Sequence, residues 1–268
     1  MLIEPRRTLT VVTAHHARFY TPLLQGLRSA GVAVQPFNCG TAPAILYALI
    51  RLKKLAPGCS VAMFPCDHFV GDDWQFMLHV ERAFRTVDAR PEKTIVLGVE
   101  PDEPDPQYGW IQPGQMLANQ SEPVRQVRSF WEKPPAAVAR HLMWSGWLWS
   151  GFVVVARLST FLGLFLIAMP DLYEAFRAVE PELGTPAETA RLRRLYARIA
   201  ASDFSDAVLA KCAFNLAVLQ LSGVDFIELG ESRLARVVGE DLSSPFQPSA
   251  FARKRPAQAG PQGSAGNL

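Results

Sequence analysis

Short apolar runs alternate along this chain with stripes of helical spacing. Thr8–Thr13 (TLTVVT) is β-branched and lacks alternation, which predicts a strand buried on both faces. Phe19, Leu23, Leu24 and Leu27 share one helical face, and Gly31 ends that helix. Val32–Val34 predicts a second strand. Gln35–Leu46 (QPFNCGTAPAIL) reads as a strand-to-helix turn: Gly40 permits unusual backbone angles, Thr41 can cap, and Pro43 suits a first helical turn. Ile45, Leu46, Leu49 and Leu52 form the buried face of that helix. In Val61–Val70 (VAMFPCDHFV), VAMF predicts a buried strand that Pro65 terminates.

Asp72 and Asp73 begin a helix with Phe76, Met77, Val80 and Phe84 inward, and Thr94–Val99 is the next strand. Glu100–Gly114 is rich in Pro and Asp, hence an ordered loop or hairpin. Val127–Trp131 predicts a strand, Val138–Met143 a short helix and Trp147–Val155 an apolar strand. Pro170–Val179 and Ala187–Ala200 are amphipathic helices, the latter striped by Leu192, Leu195, Tyr196 and Ile199. Asp203 or Ser205 caps a further short helix. Leu216–Leu221 and Val224–Ile227 suggest a strand pair joined across Ser222-Gly223. Beyond residue 241, Pro, Gly, Ser, Gln and Ala dominate, so residues 1–241 are expected to fold as one domain and 242–268 to form a disordered tail. The alternation predicts a three-layer α/β sandwich with a Rossmann-like mixed sheet.

Composition narrows the function classes. Apolar residues make up 49% of the 268 positions and charged ones 19%, enough for a sizeable core. A net charge of +2 gives no reason to expect nucleic acid. The scattered Cys39, Cys59, Cys66 and Cys212 form no C-x-x-C pair, which favours reduced thiols in a cytoplasmic protein. The N-terminus lacks the apolar run of a signal peptide. His141–Ala156 is broken by Arg157, and Leu158–Met169 is about half the ~20 residues a membrane span needs, so both read as core and no membrane partner is expected.

The chemistry-bearing residues cluster at strand ends. Cys66, Asp67 and His68 follow the VAMF strand, at the rim where open α/β sheets bind ligands. A carboxylate there suits Mg²⁺ with substrate phosphates, and equally suits a cap for the helix that starts near Asp72. The helix start at Gly40-Thr41-Ala42 offers N–H groups to an anion or a base edge, as many βα loops do. In Tyr108-Gly109-Trp110 a Gly between aromatics permits the close backbone approach that a sugar hydroxyl needs. Glu132-Lys133 ends a strand before Pro134. His15 and His16, adjacent on a helix start, point in different directions and read as that start rather than as ligands.

GTAPAIL, FPCDHFV, YGWIQPG, FWEKP and GWLWSGFVVV occur in this order. From Thr8 to Val237 the chain resembles the mannose-1-phosphate guanylyltransferases of the sugar-nucleotide pyrophosphorylase group. The resemblance implies transfer of GMP from GTP to mannose 1-phosphate, giving GDP-mannose and pyrophosphate with Mg²⁺. It further implies that Gln35 and the Gly40-Thr41-Ala42 turn face guanine, and that Asp67 and Glu228 hold the metal. Tyr108, Gly109, Glu132 and Ser150 would line the sugar, and Lys133 would neutralise its phosphate. Asp67 and Lys133 would thus be the catalytic pair, and a homo-oligomer stays open.

The chain departs from that pattern at its start. The family opens with a strand and a Gly-rich, Arg-containing loop, whereas nothing before Thr8 matches either, so that strand and loop are expected to be missing. Cys66, Ser150, Phe226 and Glu228 replace the usual Ser, Asn, Trp and Asp. The alternative expectation is therefore a catalytically inactive member that binds a sugar nucleotide or acts as a regulatory or interaction protein.

Overall fold

The local patterns resolve into strands and helices in a computed structural model, which describes residues 3–25, 31–118 and 122–228. In chain order they are β1 (Leu9–Thr13), α1 (Ala17–Leu24), β2 (Gly31–Gln35), α2 (Thr41–Leu55), β3 (Ser60–Met63), β4 (His68–Val70), α3 (Asp73–Ala89), β5 (Thr94–Val99), β6 (Gly109–Met116), β7 (Val124–Glu132), α4 (Ala136–Trp144), β8 (Leu148–Arg157), α5 (Leu158–Ala168), α6 (Pro170–Arg177), α7 (Glu188–Tyr196), β9 (Leu216–Gln220) and β10 (Phe226–Glu228). Leu27, the segment beyond Glu228 and the boundary at 241 lie outside the described residues.

The main sheet has six strands in the order β3-β8-β5-β9-β7-β6, with β6 also pairing to the start of β8. It is mixed: β5 runs parallel to β9 and antiparallel to β8. Period-2 alternation divides the central strands between two helical layers. Val96 of β5, Val154 and Ala156 of β8, and Val218 of β9 pack with α2, α5, α6 and α7. Their neighbours Ile95, Leu97, Val153, Val155, Ala217 and Leu219 pack with Phe76, Val80, Ala83 and Val87 of α3. Three layers result, as the alternation predicts.

Several expectations change. The pair across Ser222-Gly223 is not a hairpin: β9 lies between β5 and β7, and β10 pairs instead with β4. The reason is burial, since Leu216–Leu219 are buried on both faces, which only a central strand allows. β1 and β3 are half-buried rather than buried. Among the described residues β1 pairs only with β2 and β3 only with β8, so each keeps an open edge. Thr41 is not a cap. Gly40 holds that position at φ 84, and Thr41 is the first helical residue.

Gly31 does not end the first helix: α1 stops at Leu24, and Gly31 opens β2. Several other local readings hold. Asp72 caps α3, accepting from the Gln75 N–H at 3.0 Å. His15 and His16 end a 3₁₀ turn that leads into α1. The apolar 158–168 segment is α5, whose Phe161 and Phe165 are fully buried. Among the described residues no helix is long and apolar enough to cross a membrane. The four cysteines are unpaired.

Candidate active site

β3 and β5 run in the same direction, each antiparallel to β8, and their carboxyl ends open onto one rim. Asp67 lies just past β3 on that rim, more than half exposed. The cap reading of this carboxylate fails because Asp72 does that work. Instead Asp67 Oδ1 pairs with His68 Nδ1 at 2.9 Å. Burial lowers the His68 pKa, against the pull of Asp67, so the ring is neutral at pH 7 and donates from Nδ1. The ring packs 4.8 Å from that of Phe226. Phe226 in turn abuts Gly151, where a Cβ would meet its ring at 3.4 Å. Gly151 adjoins Ser150, which is buried and faces Gly98 at the carboxyl end of β5. Through these contacts the β4–β10 ribbon is pinned beside Ser150. Pairing places the Glu228 backbone opposite His68, one residue from Asp67; its side chain is outside the described residues.

The rim continues into β6 and β7. Trp110 of β6 pairs with Trp149 of β8, and Gly109 with Glu132. Tyr108 stacks on Trp149 with centroids 4.3 Å apart, which makes a rigid wall. Gly109 is needed for space: a Cβ there would lie 2.6 Å from Glu132 Oε2. Glu132 is largely buried, and its pKa is pushed up to about 7, first by that burial and then by the charge of Asp203. Lys133 and a hydrogen bond from Ser205 oppose the shift, while Asp206 adds to it. Lys133 itself is exposed, with Nζ 3.9 Å from Glu132 Oε1. Its backbone is left-handed at φ 46, a conformation strained for a non-glycine residue. The Lys133 N–H donates to the Tyr108 carbonyl at 3.2 Å, which locks that turn.

Beyond Glu132 the rim meets the start of α2. Thr41 Oγ1 donates to Asp203 Oδ2 at 3.0 Å and accepts from the Phe204 N–H at 2.7 Å. The Ala42 N–H donates to the Ser202 carbonyl at 3.1 Å, and the Gly40 N–H to Asn38 Oδ1 at 3.0 Å. Those two donors are therefore occupied within the protein. Gln35 is buried at the end of β2; its Nε2 donates to Thr13 Oγ1 at 2.9 Å, and its Oε1 accepts from the Tyr196 hydroxyl at 3.5 Å. Asp67, Ser150, Tyr108, Gly109, Glu132, Lys133 and the Gly40 turn thus follow one another around a continuous arc.

Sequence reasoning did not assign Asp203, Ser205 and Asp206 to this arc. The SDFSD cluster was legible only as a cap, and Asp203 Oδ1 does accept from the Ser205 N–H at 2.8 Å. That it also faces Glu132 depends on a contact between segments about 70 positions apart. Among the described residues no group of three or more His, Cys, Asp or Glu side chains could hold a metal ion unaided. Asp67 keeps one carboxylate oxygen without a partner among them, which fits a Mg²⁺ ion that relies on water and substrate phosphates for its other ligands.

Comparison with known proteins decides the family. Residues 1–163 match the nucleotidyl transferase family. The chain belongs to that family. It is 29% identical over 161 residues to a mannose-1-phosphate guanylyltransferase of Escherichia coli K12, covering 57% of this chain and 33% of that protein. It is 31% identical over 149 residues to the alginate biosynthesis protein AlgA of Pseudomonas putida, covering 55% of this chain and 30% of AlgA. The chain therefore spans about a third of these curated relatives. Its fold superposes with a TM-score of 0.75 on a Thermus thermophilus crystal structure titled mannose-1-phosphate geranyltransferase, at 25% identity, covering 90% of this chain and 66% of that one. This nucleotidyl transferase fold is that of the nucleotide-diphospho-sugar transferases.

Proposed function

We propose that the rim binds a sugar 1-phosphate and a nucleoside triphosphate, mannose 1-phosphate and GTP, and transfers GMP between them with release of pyrophosphate. The observation that carries this reading is the Gly109–Glu132–Lys133 corner. A largely buried acid with a pKa near 7 packs directly on the Gly109 backbone, beside an exposed lysine whose backbone is fixed in a left-handed turn. Glu132 orients sugar hydroxyls, accepting when ionised and also donating when protonated. Lys133 offsets the charge of the sugar phosphate. Asp67 would hold Mg²⁺, and the bound ion would supply charge neutralisation where two polyanions meet. The sugar phosphate is already ionised, so no protein base is required.

A second reading, binding without turnover, is favoured by the turn at α2. Gln35 and Ala42 spend their polar groups inside the protein, which leaves fewer donors for a base. Pyrophosphate release from GTP, mannose 1-phosphate and Mg²⁺ separates the two. Turnover abolished by Asp67→Ala supports transfer. Binding of mannose 1-phosphate with no pyrophosphate formed leaves the binding protein. Lys133→Ala should weaken mannose 1-phosphate at least about tenfold, one charge-assisted hydrogen bond, and GTP much less. Equal losses would remove Lys133 from the sugar-phosphate role.

A further inference from the structure

A second concave surface lies away from the rim. It is a groove of about 800 Å³ bounded by the α5–α6 junction, α7 with the turn that follows it, Ser202 and Lys211. That volume falls in the upper range of small-molecule sites. Met169, Leu172, Val179, Leu195 and Ile199 give it an apolar floor. Its charges are mostly of one sign. Arg191, Arg194, Arg198 and Lys211 line it against the single carboxylate Asp171. Arg191 is matched by Glu182 at 3.1 Å, while Arg194, Arg198 and Lys211 have no ion-pair partner among the described residues. Arg194 and Arg198 stand four positions apart along α7 and its exit, so both cations face the same opening. Ser202, at one end, has a buried Oγ with no hydrogen-bond partner.

A surface cation normally stays in water, and a helix carboxyl end tolerates basic residues through its dipole. That account covers the cations of α7 and Lys211 at the exit of the 205–209 helical turn singly, but not the convergence of three unmatched cations from two segments on one groove with apolar lining. We infer that this groove is a second ligand site, for a small molecule carrying phosphate at one end and an apolar or planar body at the other, of the nucleotide class. The three unmatched cations suit two or three negative charges. The apolar floor suits the flat face of a base. The site is tied to the rim: the Ser202 N–H donates to the Cys39 carbonyl at 3.0 Å, and the Ser202 carbonyl accepts from the Ala42 N–H at 3.1 Å. Gly40 packs so closely on Ser202 that a Cβ would lie 2.3 Å from its carbonyl oxygen. A ligand seated against Ser202 therefore bears directly on the turn that opens α2.

The test is equilibrium titration of the whole chain with GDP and, separately, with inorganic pyrophosphate, at low ionic strength where such contacts are least screened. Parallel titrations use Arg194→Gln/Arg198→Gln, Lys211→Gln, and Asp67→Ala/Lys133→Ala. The replaced groove residues are exposed, and far-UV circular dichroism checks that each variant folds. The expected result is a GDP-binding event that survives the rim double substitution. It should weaken about tenfold or more in the arginine double variant, because two charge-assisted hydrogen bonds to phosphate are removed, and less in Lys211→Gln. Pyrophosphate should bind it more weakly than GDP. Three results would overturn the inference: no GDP bound once the rim is disabled, binding indifferent to the arginine pair, or pyrophosphate bound as tightly as GDP. The outcome is independent of turnover at the rim, because no readout uses catalysis.

Discussion

Glu132 sets the charge balance of the site. Its carboxyl is raised to about 7 by burial and by Asp203, so in the folded protein it holds its proton longer than in the unfolded chain. A raised acid contributes stability that is fully present below its unfolded pKa and is lost as pH rises through the folded value. Unfolding free energy should therefore fall between about pH 4.5 and pH 7 on account of this group. Glu132→Gln should flatten that decline. Urea unfolding at several pH values measures it, and identical slopes in the two proteins would show that Glu132 is not the titrating group. Gly109 acts on the same carboxylate. A Cβ there would press on Glu132 Oε2 and the ring of Phe130, both at the far end of side chains. Phe130 is buried in the core and yields less readily than the carboxylate, so Gly109→Ala should lower stability as well as weaken mannose 1-phosphate binding. A binding isotherm together with a melting curve separates the two effects.

At the scale of elements, the junction between α2 and the Ser202–Asp206 segment is the tightest part of the site. Gly40 combines φ +84 with a Cβ position 2.3 Å from a backbone carbonyl, and neither a backbone nor a fixed turn yields cheaply. Gly40→Ala should cost about 2 kcal/mol or more in chemical denaturation, whereas Gly58→Ala, with nothing within 4 Å, should cost little. Phe204 anchors the other side of that junction. It is fully buried, stacked on Phe165 and edge-on to Phe161 and Phe152. Phe204→Ala should cost about 3–5 kcal/mol and release Asp203 from Thr41. A loss under about 1 kcal/mol would mean that the aromatic cluster does not hold the segment. Here the sequence was half legible. A polar SDFSD cluster before an apolar run signals a cap, and the cap is present. Its second task, facing Glu132, had no local signature because the partner is supplied by β7.

Across the whole molecule, stability should follow strand position. β5 is paired on both sides, by β8 and β9, and its residues from Thr94 to Gly98 are buried. β1 and β3 each keep an edge unpaired among the described residues, and every residue of both is half-buried. Amide hydrogen exchange should therefore be slowest in β5 and β9 and faster by orders of magnitude in β1 and β3. Uniform protection would show that the open edges are covered in solution. The helices tie the parts together. On α2, Tyr47 donates to Glu188 Oε1 at 2.6 Å, and Arg51 pairs with the same carboxylate at the start of α7.

What the chain spells out by itself is local. Periods of two and of 3.6 marked the strands and helices, since which face is apolar depends only on near neighbours. The order of FPCDHFV, YGWIQPG and FWEKP carried the family, which the comparisons bear out. The tertiary structure alone decided where β9 and β10 pair, because that choice is made by the buried strands and ribbon that receive them. It alone settled that Asp72, not Asp67, caps α3, and that the polar ends of Gln35 and the Ala42 N–H are spent on Thr13, Tyr196 and Ser202. A buried polar group must find a partner wherever the fold brings one, and that partner can lie far away in the chain.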